Sequence, residues 1–333
     1  MNNIINHVEI NNFKSIRHLE LSEFRKINLF IGRPNVGKSN LLEALSLFSS
    51  SLLNLKDKHL YFSVKKINEY VRYEYETELF YDGNTEQGIS VKVNNYYCSI
   101  LLNPRGTFLG VTLDEKNEEL YDKGFEIDYW SDSKQNNISL KSYHFKIPVK
   151  YKKDNNRFLT PPFGQNIMQT IELLPNLLQK ITHWFSLYNL RVVLDKASQS
   201  LKILKETKDG LIFLIPYSSI ADTLQRIIFY KTAIQSNENS VLIFEEPEAH
   251  SFPPYIVEFT QEVINSATNQ FFMATHSPII VNDFLENARE DLSIFMVDFK
   301  DGQTVAKALS RDKIEEVYRY GIDLFFNNEA YTA

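Results

Sequence analysis

The chain has 333 residues, of which 43% are hydrophobic and 23% charged, a composition that allows one large or two modest hydrophobic cores. Its formal net charge of -6 argues against the broadly basic surface of many nucleic-acid-binding proteins. Cys98 is the only cysteine, which excludes an internal disulfide and a Cys-rich zinc site. The N-terminus lacks a signal-peptide pattern and no apolar run approaches ~18 residues, so we expect a cytoplasmic protein that does not enter a membrane.

A phosphate-binding loop is predicted from Gly32 to Ser39, where GRPNVGKS fits the pattern GxxxxGK[ST]. An apolar run of strand type precedes the loop at 27–31, and leucines at helical spacing follow it in SNLLEALSLF. In such a unit, backbone N–H groups and the helix N-terminus surround a polyphosphate, Lys38 reaches the terminal phosphates, and the Ser39 hydroxyl binds magnesium. The sequence therefore predicts a nucleoside triphosphate site.

The residues PNV inside this loop also occur in the phosphate loops of translation-type GTPases. Such a GTPase needs a DxxG turn that holds magnesium and the γ-phosphate, and an NKxD or TKxD loop that reads guanine. No aspartate of this chain has a glycine three residues later, and the nearest guanine-reading match is YKKD at 151–154. We therefore set the GTPase alternative aside.

The long middle region predicts two kinds of secondary structure. From about Tyr70 to Val149, apolar and polar residues alternate around glycine and asparagine turns, which is typical of an antiparallel β meander. Residues 165–190 carry apolar side chains at helical spacing despite Pro175, and they predict a helical segment.

One basic patch in this region invites comparison with nucleic-acid-binding surfaces. Its aromatic neighbours are Phe145 and Tyr151. The basic residues are Lys146, Lys150, Lys152, Lys153 and Arg157. A solvated charged edge is the better interpretation, and nucleic-acid contact is left open without support from the net charge.

A capped amphipathic helix is predicted within PYSSIADTLQRIIFYKTAI, residues 216–234. Ser219 followed by Asp222 fits a capping box, and apolar residues at helical spacing form one face. Free N–H groups at the start of this helix suit a phosphate arriving from another subunit. A core helix with an ordinary cap is the alternative.

Two further predicted strands end on polar side chains. Val241 to Phe244 predicts a buried parallel strand followed by Glu245 and Glu246. In open α/β sheets, ligands bind beyond the carboxyl ends of the strands. Glu245 can therefore hold magnesium, directly or through water, and Glu246 can accept a proton from an attacking water.

The second of these strands is Phe271 to Ala274, which runs into Thr275, His276 and Ser277. The His276 imidazole can donate a hydrogen bond to a γ-phosphate or to the attacking water. Beyond it, the sequence predicts a hairpin in LSIFMVDFKDGQTVAKAL and a helix over 311–320.

Together these motifs resemble the ABC-type ATPases of the RecF, SMC and OLD group, often described as AAA-type ATP-binding proteins of the overcoming-lysogenisation-defect class. VEINNFKSI at 8–16 is similar to the first strand and turn of that group, and GKSNLLEAL, FEEPEAHSFPP and ATHSP follow in the expected order. The resemblance implies an α/β, ABC-ATPase-like P-loop fold with a mainly parallel core sheet, an antiparallel β subdomain and a helical subdomain.

The same resemblance assigns roles to residues. It implies an ATP site in which Glu246 and His276 are catalytic and Ser39 and Glu245 hold Mg²⁺. The nucleotide-binding residues are Gly32, Asn35, Gly37, Lys38, Ser39, Asn40 and, from the other subunit of a dimer, Ser219. Residues 248–250 would lie in the D-loop region, at the dimer interface. In place of the family's signature glycine, this chain has Ile220 or Ala221.

From the motifs we divide the chain into four segments. Residues 1–55 and 216–333 would form the two parts of the ATPase core, residues 56–165 an antiparallel β-rich subdomain, and residues 166–215 a helical subdomain with return strands. No DxD pair occurs in the sequence, so we do not carry over the TOPRIM nuclease chemistry of OLD-type relatives.

Three functions follow from the resemblance. The first is an ATP-hydrolysing switch that forms a homodimer or higher oligomer bridged by ATP and acts on a separate effector, in antiphage defence or DNA maintenance. The second is a scaffold that holds nucleotide without hydrolysing it and silences a partner toxin. The third is a RecF-like DNA-repair ATPase, whose hydrolysis would be stimulated by DNA and weakened by salt.

Overall fold

The computed structural model describes residues 4–49, 67–102, 109–113, 116–120, 125–131, 139–147 and 151–332, with the backbone alone for the strands between 109 and 131. Contacts divide the chain into two units. The first contains Met1–Ser142, Asn239–Glu246 and Asn269–Ala333, and the second contains Tyr143–Glu238 and Pro247–Thr268.

Strands and helices alternate through the described residues. The strands are β1 (Val8–Phe13), β2 (Ile16–Leu21), β3 (Ile27–Ile31), β4 (Ile89–Val93), β5 (Tyr96–Leu102), β6 (Leu109–Leu113), β7 (Lys116–Leu120), β8 (Phe125–Ser131), β9 (Leu140–Tyr143), β10 (Leu190–Asp195), β11 (Ser200–Glu206), β12 (Ile212–Pro216), β13 (Val241–Glu245), β14 (Gln270–Ala274), β15 (Leu292–Lys300) and β16 (Gln303–Ala308). The helices are α1 (Lys38–Ser46), α2 (Ile167–Glu172), α3 (Pro175–Ser186), α4 (Asp222–Gln235), α5 (Pro253–Asn265), α6 (Pro278–Asn287), α7 (Arg311–Tyr320) and α8 (Asn328–Tyr331).

The first unit is built on a six-stranded sheet with the strand order β16-β15-β3-β14-β13-β9. Neighbouring strands from β15 to β13 are parallel, and β16 pairs with β15 in the antiparallel direction. Every residue of β3 and β14 is buried. Strands covered on both faces need continuous apolar runs, which is why these short stretches were recognisable in the sequence. The predicted parallel strands and the C-terminal hairpin are confirmed.

Helix α1 packs against β13 and β14 through buried leucines that include Leu41, Leu42 and Leu45. The helix predicted after the phosphate loop is therefore present, and its apolar face joins the main core of the unit.

A second sheet of the first unit is antiparallel, with the strand order β2-β1-β4-β5-β8. The predicted β meander contributes β4, β5 and β8, and the N-terminal hairpin β1–β2 completes the sheet by pairing Val8 with Val93. Strands β6 and β7 form a separate hairpin. The N-terminal hairpin and the middle region thus share one sheet.

The segment predicted as helical over 165–190 forms two helices, α2 and α3, and strand β10 already begins at Leu190. The expectation that helix continues through Pro175 is wrong. Proline has no N–H to donate to the preceding turn, and it instead occupies the first position of α3. The predicted apolar face is buried in its central positions, including Ile171 and Ile181.

The rest of the second unit combines the antiparallel sheet β10-β11-β12 with the packed helices α4 and α5. Lys231 of α4 is almost fully buried and forms an ion pair with Glu262 of α5, which also accepts a hydrogen bond of 2.9 Å from Gln235 Nε2. A buried charge needs such a partner, and this pair joins the two helices.

Among the residues that the structure describes, none of the helices combines the length and the apolar character needed to cross a membrane.

Candidate nucleotide site

The predicted phosphate loop joins β3 to α1 at the carboxyl edge of the parallel sheet. Its two glycines are required for different reasons. Gly37 has a φ of 97°, and a Cβ there would lie 2.0 Å from Thr304 Oγ1. A Cβ on Gly32 would lie 2.1 Å from the Val297 carbonyl oxygen. The loop therefore packs closely on β15 and β16, and neither position tolerates a side chain.

A hydrogen-bonded network supports the loop from behind. Asn40 Nδ2 donates to Ser15 Oγ at 2.7 Å, the hydroxyls of Ser15 and Thr304 lie 2.6 Å apart, and Thr304 Oγ1 donates to the Val36 carbonyl at 2.8 Å. Asn40, which the sequence placed among nucleotide-binding residues, contacts Ser15 in this structure. Neither Ser15 nor Thr304 was recognisable from the sequence, because the two lie 289 residues apart.

The Lys38 ammonium group lies inside the loop. Nζ donates to the carbonyl oxygens of Gly32 at 2.8 Å and Arg33 at 2.7 Å, and the residue is only 5% exposed. Burial lowers the pKa of Lys38 to about 8, while the charges of Glu246 and Glu245 act in the opposite direction. Lys38 forms no ion pair within the described part of the chain, so it is a buried cation that an incoming phosphate could pair with.

The predicted magnesium ligand Glu245 ends β13 and is held by an arginine that the sequence analysis missed. Arg72 Nη2 lies 3.0 Å from Glu245 Oε1, and its Nε lies 2.6 Å from Glu43 Oε1. Glu43 is buried on α1 and also pairs with Lys14. These four residues come from separate parts of the sequence, so no local motif could have revealed the cluster.

The two predicted catalytic residues lie together at the ends of neighbouring strands. His276 Nε2 is 3.6 Å from Glu246 Oε1, and the Glu246 N–H donates to the Ala274 carbonyl at 2.9 Å. Glu246 is half exposed and can meet a water molecule. Burial lowers the pKa of His276, the nearby Lys38 lowers it further, and Glu246 opposes both effects. The imidazole is therefore neutral at pH 7.

The donor set suits magnesium bound together with a triphosphate. Within the residues that the structure describes, no three histidine, cysteine or acidic side chains gather in a way that would hold a metal ion. Mg²⁺ in phosphate sites is usually held by one or two protein oxygens, with phosphates and waters as the other ligands. Ser39 in the first turn of α1 and Glu245 at the end of β13 provide such oxygens at the same sheet edge.

The remaining nucleotide-contact candidate, Ser219, lies in the second unit. It is exposed and ends a 3-10 helix, Tyr217–Ser219. The capping box predicted for Ser219 is wrong: α4 begins at Asp222 with Ala221 as N-cap and no side-chain cap. The extended backbone of Ile220 separates Ser219 from the helix, and the Asp222 carboxylate instead accepts from Arg226 Nε at 2.7 Å.

The segment predicted to resemble a D-loop lies in the same unit as Ser219 and is tied to α4. Thr223 Oγ1 donates to the His250 carbonyl at 2.7 Å, and His250 has a φ of 55°. The start of α4 and residues 248–250 therefore form one connected surface within this unit.

The basic patch is described only in part. Lys152, Lys153 and Arg157 are exposed, and Lys146 Nζ lies 5.4 Å from the centre of the Phe163 ring. Lys150 lies outside the described residues. These positions agree with a solvated edge.

The parallel sheet and the phosphate loop define a P-loop fold of the ABC-ATPase-like kind. Two solved SMC head domains share the fold. One, bound to the C-winged helix domain of ScpA, has a TM-score of 0.52 at 14% identity, covering 94% of this chain and 99% of that chain. The other, from Pyrococcus furiosus and bound to the C-terminal domain of ScpA, has a TM-score of 0.50 at 13% identity, covering 95% and 98%.

The sequence places the chain in a family. Residues 27–282 match the family described as "AAA domain, putative AbiEii toxin, Type IV TA system", and the chain belongs to it. A curated relative, the uncharacterized protein MJECL10 of Methanocaldococcus jannaschii, is 30% identical over 135 residues, which is 39% of this chain. The aligned part spans 55% of the length of that relative.

Proposed function

We propose that the chain binds and hydrolyses ATP with Mg²⁺. The observation that carries this proposal is the convergence of Lys38, Glu245, Glu246 and His276 at one edge of the parallel sheet, within a single unit. Burial lowers the pKa of Lys38, and the charges of Glu246 and Glu245 act against that shift, which is physical support for their proximity to the ammonium group. His276 and Glu246 are 3.6 Å apart.

The proposed roles follow from the charges and exposures of these groups. Lys38 is a buried cation and binds the terminal phosphates, while the loop N–H groups bind the rest of the polyphosphate. Glu246, half exposed, takes the proton of the attacking water, and neutral His276 donates a hydrogen bond to that water or to the γ-phosphate. Mg²⁺, when held by Ser39 and Glu245, would neutralise charge on the β- and γ-phosphates.

The chain would act as a nucleotide-dependent dimer in which Ser219 of each copy contacts the nucleotide of the other. The exposure of Ser219 and the bond between Thr223 and His250 support this role, because they place both predicted interface segments on one surface. Opening of the dimer after hydrolysis would change its contacts with a separate effector. The SMC neighbours, which were solved with ScpA fragments, support a partner protein.

The pathway we favour is antiphage defence or DNA maintenance, with the chain as an OLD-class ATPase. The words "putative AbiEii toxin" and "Type IV TA system" in the family description support a link to toxin–antitoxin defence.

Two observations favour a second candidate, a scaffold that keeps its nucleotide and silences a partner toxin. The segment before α4 has no glycine at the signature position, and Ser219 does not cap the helix. Both features reduce the close backbone approach that a γ-phosphate would need from a second subunit. A scaffold would retain unhydrolysed nucleotide through purification.

The test is phosphate release from ATP and Mg²⁺ by the parent and by Glu246→Gln, with molecular mass followed in the same samples. Loss of a general base typically slows a reaction by about 10²–10⁴-fold, so Glu246→Gln should bind ATP, release little phosphate and accumulate as a dimer. Glu290→Gln, at an exposed position on the same unit, is the matched control. Equal turnover by Glu246→Gln and parent would contradict the assigned chemistry, and retained nucleotide without turnover would favour the scaffold.

A further inference from the structure

The most unusual surface of the second unit is the edge strand β12. It ends the sheet order β10-β11-β12, and no other strand of the described chain pairs with its outer side. Leu211 and Ile212 are each 61% exposed, Phe213 is 52% exposed and Leu214 is 53% exposed. Consecutive residues of a strand point to opposite faces, so β12 is apolar and exposed on both of them.

The hydrogen bonds of the β11–β12 hairpin reveal which backbone groups of β12 face outward. The Thr207 N–H donates to the Leu211 carbonyl at 2.9 Å, so Leu211 faces β11. In an antiparallel ladder this orientation alternates, so the backbone N–H and C=O of Phe213 face β11. The N–H and C=O groups of Ile212 and Leu214 therefore lie on the outer edge. Pro216 also falls in the outward set, as expected for a residue with no N–H to give the ladder.

Soluble proteins usually protect such an edge with lysine, proline or a bulge. This edge has none of these before Pro216, and no charged residue occurs between Asp209 and Asp222. A row of outward N–H and C=O groups flanked by large apolar side chains is a template for strand addition.

The sequence around β12 indicates which strand pairs with its outer edge. If a second copy of LIFLI runs antiparallel and is centred on Phe213, Leu211 lies opposite Ile215 and Ile212 lies opposite Leu214. Each aliphatic residue then meets another aliphatic residue. In a two-fold interface each copy presents the same patch to the other, so each residue must pack well against the residue opposite it, and here apolar side chains oppose one another at all five positions. With no charge on the strand, like charges cannot oppose each other across the axis.

We infer that two copies of this chain pair through antiparallel β12 strands, with Phe213 opposite Phe213 of the second copy. In this register Ile212 and Leu214 of each copy exchange backbone hydrogen bonds, and the two phenylalanines form a non-hydrogen-bonded pair on the two-fold axis. The pairing needs no nucleotide, which separates it from the proposed ATP-bridged contact through Ser219.

The first measurement is the mass of the full chain in solution without nucleotide, over a range of concentrations. The expected result is a concentration-dependent approach to twice the chain mass of 38.9 kDa. Leu214→Pro should weaken this dimer at least ~10-fold, because it removes an outward N–H and leaves the bonds to β11 in place. A nucleotide-free chain that stays monomeric throughout would overturn the inference.

The second measurement tests the register and does not depend on how well the proline variant folds. In a non-hydrogen-bonded antiparallel pair the Cα atoms lie about 4.5 Å apart, within the range of a disulfide. Phe213→Cys should therefore form a covalent dimer under mild oxidation. Leu211→Cys, directly before the strand, is the matched control, and Leu187→Cys is an exposed control elsewhere in the chain. The native Cys98 is buried and should not interfere.

Cross-linking that is as efficient at 187 or 211 as at 213 would overturn the proposed register. Addition of ATP to the same samples separates this inference from the proposed function. Dimers that form only with ATP would overturn the β12 pairing and leave the switch intact. Dimers that form equally with and without ATP, and cross-link at 213, would support the pairing and count against the switch.

Discussion

The phosphate loop and the segment from β12 to Ser219 differ in where their partners lie. Around the loop, the hydrogen-bonding and packing partners are inside the first unit: Gly37 packs on Thr304, and Lys38 lies against loop carbonyls. The segment from 211 to 219, in contrast, presents apolar side chains, outward backbone groups and the Ser219 hydroxyl to the surface. The loop is therefore held by contacts within one unit, whereas the second region has surface groups that a second copy would meet in both proposed interfaces.

Because of this difference, we expect substitutions in the two regions to affect different properties of the protein. A change in the loop should act on the isolated chain, because it disturbs contacts within one unit. A change in the exposed segment should leave the chain folded and able to bind nucleotide, and should act only when a second molecule is present.

The largest effect is expected for Gly37→Ala. Its φ of 97° is unfavourable for alanine, and the new Cβ would overlap Thr304 Oγ1. Strain and overpacking together predict a loss of roughly 2–5 kcal/mol in the free energy of unfolding. We expect ATP affinity to fall at least ~100-fold, measured by calorimetry, because the loop N–H groups lose their alignment.

Gly210→Ala is the matched control for this prediction. Gly210 also has a positive φ of 77°, but a Cβ there would meet nothing within 4 Å. It should therefore cost only about 1–2 kcal/mol from backbone strain and leave ATP affinity unchanged. If the two variants lost stability and affinity equally, close packing of the loop would not be the reason for its glycine.

A smaller effect, seen only between copies, is expected for Ser219→Glu. A carboxylate at an exposed position facing the γ-phosphate of a second copy would repel it, so ATP-dependent dimerisation should weaken by about 10–100-fold. ATP affinity of the monomer should change less than about twofold. Ser186→Glu, an exposed serine at the end of α3, is the control. Unchanged ATP-dependent association, measured by sedimentation in a background that combines Glu246→Gln with Leu214→Pro to weaken the β12 pairing, would remove Ser219 from the interface.

The parts of the fold that the sequence predicted are those with local signals. The loop pattern, the apolar parallel strands that end on Glu245 and Ala274, and the C-terminal hairpin each depend on residues close together in the chain. The same local reasoning failed where two signals competed. Ser219 and Asp222 have the spacing of a capping box, but Ile220 is extended and α4 starts later. Pro175 also divides the segment that was predicted to be helical, because proline has no N–H to donate to the preceding turn.

A moderate effect of pH on ATP affinity is expected, because burial lowers the pKa of Lys38 to about 8. Phosphates favour the charged ammonium, so ATP binding above this pH must take up a proton, and affinity should fall as pH rises. For a pKa of about 8, the charged fraction falls roughly fivefold between pH 8 and pH 9. We expect a similar loss of ATP affinity over this interval, and a flat response between pH 6.5 and 7.5.

Lys38→Arg separates this titration from other effects of alkaline pH. A guanidinium stays charged throughout the range, so this variant should bind ATP more weakly at pH 7.5 but with little change up to pH 9. Calorimetry in buffers of different ionisation enthalpy should show proton uptake by the parent alone. The same pH slope in both proteins would attribute the effect to another group.

Contacts between residues far apart in the chain could not be predicted from the sequence. Ser15 and Thr304 support the loop, and Arg72 joins Glu43 to Glu245, but each contact joins residues from separate elements. Only the parallel sheet and its connections bring these residues to one edge. Their residue types are common, and their spacing along the chain has no pattern that would distinguish them from ordinary surface residues.

The smallest effect is expected for Arg72→Met. Because Arg72 is 66% exposed, its ion pairs with Glu43 and Glu245 should contribute only about 0–1 kcal/mol to stability. Its charge nevertheless lies 3.0 Å from an oxygen of the proposed magnesium ligand and opposes a second cation there. Removal of the charge should lower the Mg²⁺ concentration needed for half-maximal hydrolysis by about two- to fivefold, whereas Arg72→Lys, which keeps the charge, should stay near the parent. A higher Mg²⁺ requirement in Arg72→Met would instead mean that the arginine positions Glu245 for the metal.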